Sequence, residues 1–137
     1  VKNSAFPVRT ILVQNSSGGA LTPGMALKWA AGYYGTKVQA ATNGVPICGF
    51  VPASIQTAAT IPTGAYFWMI VHGPTSVLKS AADVAEGDQL EASATAGYCK
   101  TEATAPAANK LVRGATAWAA DASGGTALVR AMVDCRL

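Results

Sequence analysis

The sequence predicts an all-β protein: a small antiparallel β-barrel or β-sandwich with tight Gly/Pro turns and at most one short helix. A recurring phrase is the first reason. Leu21-Thr-Pro-Gly24-Met-Ala-Leu27, Ile61-Pro-Thr-Gly64-Ala-Tyr-Phe67 and Val84-Ala-Glu-Gly87-Asp-Gln-Leu90 each run from an apolar residue through two connecting residues to a glycine, then return to an apolar residue. Glycine supplies the positive φ of a tight turn, and the proline in two copies presets a neighbouring dihedral. The second reason is glycine within or at the end of apolar segments, in Cys48-Gly49-Phe50, His72-Gly73-Pro74 and Arg113-Gly114-Ala115. There it marks bulges, barrel corners or close backbone approaches. Third, many short apolar or alternating segments are divided by turn formers at the spacing of a barrel or sandwich. The unequal spacing of Gly24, Gly64 and Gly87 argues against a true repeat.

The elements follow in order. An extended N-terminal arm occupies residues 1–7, and Val8 to Gln14 reads as a strand ending at the turn formers Asn15-Ser-Ser-Gly-Gly19. Met25 to Ala31 and Gly35 to Ala41 form a hairpin around Gly32-Tyr-Tyr-Gly35. In its second arm Thr36, Val38 and Ala40 alternate with Lys37, Gln39 and Ala41, the period of a half-buried strand. Asn43-Gly44 signals a turn, and Pro46 to Pro52 follows as a short strand. Ala65 to Val71 is apolar on both faces. It reads as a central strand covered on each side, or as one whose outer face meets another subunit. Gly73-Pro74 should end it, Thr75 to Lys79 extends again, and Ser80 to Glu86 could hold a helical turn. Gln89 to Ser93, Gly97 to Glu102 and Leu111 to Ala120 are further strands, with a loop over Ala103 to Lys110. In the last strand, Thr126 to Cys135, Val129, Ala131, Val133 and Cys135 share one face. No linker divides the chain, so residues 1–137 read as one domain.

Composition narrows the class of function. Hydrophobic residues make up 50% of the 137, while charged residues are 12%, about half the roughly 25% of an ordinary soluble domain. A surface poor in ions can be covered by partners without desolvating charge, which points to extensive burial by other chains. Residues 1–82 hold Lys2, Arg9, Lys28, Lys37 and Lys79 and no acid, so they carry +5 against −2 for the remainder. Such asymmetry can orient a protein against an acidic surface. The cations are dispersed rather than clustered among aromatics, so no nucleic-acid partner is expected. No membrane partner is expected either. The longest apolar run, Ala65 to Val71, is far shorter than the roughly 20 residues of a spanning helix, and the N-terminus has no signal-type hydrophobic stretch. Cys48, Cys99 and Cys135 are scattered and odd in number, which fits reduced core thiols better than a disulfide framework, one bridge remaining the alternative.

Candidate chemistry is sparse. The lone histidine, His72, has no nucleophile elbow around it and reads as a structural residue with a satisfied hydrogen bond. Three cysteines and one histidine without a CxxC pair do not make a zinc site. The acidic segment Asp83 to Glu91 lacks EF-hand spacing and reads as a solvated turn with capping carboxylates. The glycine-rich stretches match no nucleotide signature. No catalytic residue, metal, cofactor or small-molecule substrate is therefore assigned. The aromatics carry more information. Trp29, Tyr33 and Tyr34 sit with Lys28 and Lys37 in one glycine-rich hairpin, as interface anchors do. A carbohydrate platform is the rival reading, and then the three rings should form an open flat surface. Trp68 and Trp118 lie inside apolar strands and read as core. Lys2, Phe6 and Arg9 form an acid-free extended segment able to lie on a neighbour.

With these residues in view, the chain resembles the small head decoration, or cement, proteins of tailed bacteriophages. The resemblance lies in Val13-Gln-Asn-Ser-Ser-Gly-Gly-Ala-Leu-Thr-Pro-Gly24, Ile47-Cys-Gly-Phe-Val51, Ile70-Val-His-Gly-Pro74, Val84-Ala-Glu-Gly-Asp88, Thr95-Ala-Gly97 and Val112-Arg-Gly-Ala-Thr-Ala117. It implies a β-rich, non-enzymatic protein, made in the host cytoplasm, that sits on the outside of an icosahedral shell and stiffens it. Its implied partners are the major capsid protein and itself, as a dimer or trimer. The expected contact residues are Lys2, Phe6, Arg9, Trp29, Tyr33, Tyr34 and Lys37. The alternative is a carbohydrate-binding or host-adhesion β module.

Overall fold

A computed structural model describes residues 8–42, 45–53, 60–80, 83–101, 113–121 and 124–135. The arm 1–7, the Asn43-Gly44 turn and the loop over 103–110 lie outside the described residues. The fold is all-β, as the glycine corners require. The strands are β1 (Arg9–Asn15), β2 (Ala26–Trp29), β3 (Lys37–Ala40), β4 (Gly49–Phe50), β5 (Tyr66–Lys79), β6 (Gln89–Ala92), β7 (Cys99–Thr101), β8 (Arg113–Ala117) and β9 (Ala127–Asp134). Among the described residues there is no helix. Of the segment Ser80 to Glu86, expected to hold a helical turn, residues 81–82 lie outside the described residues, and Val84 forms a bridge to Asp121 instead. The segment 46–52 is strand only at β4.

Gly73-Pro74 does not end a strand, contrary to expectation. β5 runs through both residues, and Gly73 takes a φ of 124° there. Leu78 turns its N–H away from β9, to the Gly24 carbonyl. By the two-residue alternation of a strand, Pro74 also has its nitrogen turned away from β9. Its missing N–H therefore costs no bond of the β5–β9 ladder.

That continuous strand organises the molecule. In hydrogen-bonded order the sheet runs β1-β3-β2-β4-β5-β7-β6-β8-β9, and β5 pairs in addition with β1 and β9. Two closed five-stranded barrels result, β1-β3-β2-β4-β5 and β5-β7-β6-β8-β9, with β5 as a wall of each. They have the same wiring. In each, one parallel pair (β1 with β3, β5 with β7) joins otherwise antiparallel neighbours.

The chain is thus built from two topologically equivalent halves, which overturns the expectation drawn from unequal glycine spacing. Each half contains the turn phrase twice. Leu21 bridges Ile61 ahead of Gly24 and Gly64; Val84 bridges Asp121 ahead of Gly87 and Gly124. All four glycines take positive φ, between 76° and 90°. The fourth copy, Asp121-Ala-Ser-Gly124, escapes an apolar pattern because its first residue is a carboxylate.

Equivalent buried polar residues close the end of each opening strand. In the first barrel the Asn15 amide is fully buried and donates to the Ile61 carbonyl at 2.8 Å and the Gly19 carbonyl at 3.1 Å. In the second, Lys79 is fully buried, donates to the Gly125 carbonyl at 2.5 Å and lies 4.0 Å from Asp121. A buried ammonium is costly unless paired and hydrogen-bonded, and here it is both.

Two apolar clusters fill the structure. Val13, Leu27, Val38, Cys48, Phe67 and Met69 line the first barrel. The second cluster joins Val77, Leu90, Cys99, Ala115, Val129 and Val133 to the outer face of the first barrel at Ala26, Phe50 and Ile70. Successive residues such as Ala26 and Leu27, or Met69 and Ile70, therefore serve different cores. The expected inward face of the last strand, Val129, Ala131, Val133 and Cys135, is buried. All three cysteines are free and buried, as small core residues are. Burial pushes the Cys48 and Cys99 thiols up to about 12 and Cys135 well above its usual value.

Candidate interaction surface

The β2–β3 hairpin tip brings four of the expected contact residues together. Tyr33 accepts backbone hydrogen bonds from Thr36 and Lys37 at 3.1 Å each, which folds the tip back on itself. Lys37 Nζ then lies 4.2 Å from the centroid of the Tyr33 ring, in cation–π range. Tyr34 is 79% exposed, and its ring centroid is 6.3 Å from that of Trp29. Trp29 is half-buried against the first core. With Lys28, Pro46, Ile47 and Cys48, Trp29 and Tyr34 line an apolar groove of about 210 Å³. The three rings do not make the flat platform a sugar would require. Tyr33 is engaged by Lys37, while Trp29 is half-buried and tilted 31° from Tyr34.

Arg9 is exposed at the far end of β1, opposite His72 and away from the hairpin. Lys2 and Phe6 lie outside the described residues. His72 differs from expectation, since its Nδ1 is buried without a hydrogen-bond partner. In the acidic segment Asp88 caps its turn. Its Oδ2 accepts from the Ala85 N–H at 2.9 Å and the Thr101 hydroxyl at 2.8 Å, and together these hold the carboxyl below its usual value.

The register across the first barrel adds residues that sequence reasoning missed. Gln14 is opposite Lys37 on one side and Tyr66 on the other, so Lys37, Gln14 and Tyr66 form a row across β3, β1 and β5. Their neighbours Val38, Val13 and Phe67 point inward, so the row faces outward. Leu12 and Trp68 are opposite each other in the same outer wall and are 50% and 58% exposed; Tyr66 is 66% exposed. Adjacent strands are about 4.8 Å apart, so these side chains form a continuous strip with the hairpin tip. Trp68 is thus outside the core, contrary to expectation, and Trp118 is 39% exposed. What sequence did offer was a segment apolar on both faces in a chain short of ions.

Charge divides along the same line. Every carboxylate of the chain lies at or beyond Asp83, so the first barrel offers Arg9, Lys28 and Lys37 and no acid. The second exposes Asp83, Glu86 and Asp134.

The geometry defines a small all-β double barrel with an aromatic, acid-free side. Among solved structures this fold is similar to the N base of head fiber gp8.5 of bacteriophage phi29, with a TM-score of 0.59 at 14% sequence identity, covering 94% of this chain and 98% of that one. No protein family and no curated protein matches the sequence.

Proposed function

We propose that this chain is a non-enzymatic structural protein of a bacteriophage virion, bound to the exterior of the assembled capsid and stabilising it. The observation that carries the reading is the exposed strip of Tyr33, Tyr34, Tyr66, Trp68 and Leu12 on a barrel free of carboxylates. Large exposed apolar residues grouped together mark an association surface. The fold likeness to a phage head fiber base supports a place on the phage head. The partners in this reading are the major capsid protein and further copies of the chain.

The mechanism is mass action. A piece that binds assembled subunits and not loose ones stabilises the assembly by about 2.7 kcal/mol at a hundredfold excess over its dissociation constant. Many such sites on one shell add through multivalency. The test is cosedimentation with capsids of the phage that encodes the chain, followed by thermal disruption of decorated and bare particles. Stoichiometric binding with a raised disruption temperature is expected. Equal disruption curves, or binding to free capsid subunits as tight as to shells, would remove the reading.

A further inference from the structure

The first barrel is closed, yet the opening part of β1 extends past β3 and, among the described residues, has no strand on its outer side. The Asn15 N–H donates to the Ala65 carbonyl and the Asn15 carbonyl accepts from Gly64, so this residue faces β5. Gln14 donates the other way, to the Thr36 carbonyl. By alternation Thr10 and Leu12 also turn their N–H and C=O groups away from β5. β3 meets β1 only at Gln14 and Asn15, and among the described residues no strand pairs with Thr10 or Leu12 on that side. Both residues are exposed. In the second barrel Leu78, the equivalent of Gln14, is likewise satisfied, its N–H donating to the Gly24 carbonyl at 2.9 Å.

From this geometry we infer that the outer edge of β1 receives an extended, acid-bearing segment of another protein as an added strand. Unpaired N–H and C=O groups on an exposed strand are a template for strand addition. The apolar wall of Leu12 and Trp68 stands beside them to receive alternate side chains. Charge selects the occupant. Arg9 lies at one end of the open edge and Lys37 beside Gln14 at the other, with no Asp or Glu before residue 83. Asp134 sits across β5, opposite His72. A second copy presenting the same edge would set cations against cations, whereas an acidic strand would be attracted. The inference rests on the reading that the first barrel is the contact side.

The experiment titrates the 15N-labelled full chain at low ionic strength with three blocked peptides. They are Thr-Glu-Val-Asp-Val-Glu-Thr, the same peptide with lysine for each acid, and the acidic peptide N-methylated at alternate residues. The acidic peptide should slow amide exchange at Thr10 and Leu12 about tenfold or more and bind about tenfold tighter than the lysine peptide. N-methylation, which removes the ladder donors, should abolish binding, and Thr10→Pro should weaken it. Equal binding of acidic and lysine peptides, exchange unchanged at Thr10 and Leu12, or no binding by any peptide would overturn the inference. Because the probe is a peptide, that result would leave capsid binding standing. Conversely, a chain that captures the peptide but ignores shells would lose only the functional reading.

Discussion

Replacing Gly24 by alanine tests how the two barrels are joined. Gly24, Gly64 and Gly87 take nearly the same φ, 85°, 90° and 88°, in the same turn phrase. Alanine at any of them incurs the left-handed penalty of about 1–2 kcal/mol. The surroundings differ. A Cβ at Gly64 or Gly87 would meet nothing within 4 Å, whereas at Gly24 it would stand 2.6 Å from Leu128 Cδ2, 3.1 Å from the Leu78 nitrogen and 3.3 Å from the Ser76 oxygen. The leucine methyl can rotate away, since Leu128 is 48% exposed. The β5 backbone cannot yield without loosening the Gly24–Leu78 hydrogen bond, which contributes about 0.5–1.5 kcal/mol. Gly24→Ala should therefore cost about 1.5–3.5 kcal/mol, against about 1–2 for Gly64→Ala and Gly87→Ala. Urea unfolding followed by tryptophan fluorescence resolves this, because at a slope of about 2 kcal/mol/M the extra cost puts the Gly24 midpoint about 0.25–0.75 M below those of the other two variants. If the three variants unfold at the same urea concentration, the turn does not press on β5 and the account of the seam is wrong.

Three further outcomes follow from the same structure. Asp88 is held below its usual carboxyl value by Ala85 and Thr101, so its contribution to stability is present above the unfolded pKa and lost as pH falls through the folded one. Wild type should lose melting temperature on acidification below about pH 4 more steeply than Asp88→Asn, and parallel curves would refute this. The three thiols should resist a disulfide reagent at pH 8 in the folded protein and react fully in denaturant, a native reaction at Cys48 or Cys99 being the contrary result. Met69→Ala should cost about 2–5 kcal/mol because Met69 is fully buried, while Trp68→Ser costs under about 1 kcal/mol yet abolishes shell binding; comparable melting losses would contradict the assigned faces.

Local chemistry made much of this architecture legible. The alternation of Val129, Ala131 and Val133, the Gly32–Gly35 hairpin and three of the four turn glycines could be read from spacing alone. What could not be read was set by tertiary structure. Gly73-Pro74 carries the composition of a strand end, and only the register reveals that the proline nitrogen faces away from β9. Asp121 hides the fourth turn because its carboxylate pairs with buried Lys79, a partner remote in sequence. The aromatic strip was half visible. Tyr33, Tyr34 and Lys37 stood out in one hairpin, but joining them to Tyr66 and Trp68 takes the β3–β1–β5 register, and periodicity within one segment cannot supply it.

β5 carries one more consequence. A strand that is simultaneously a stave of two casks offers no seam at which evolution or an engineer could part them. A cut between residues 66 and 79 opens both at once, so fusions, permuted termini and inserted tags belong outside that stretch. The topologically equivalent halves must therefore travel together through any recombination that preserves the protein.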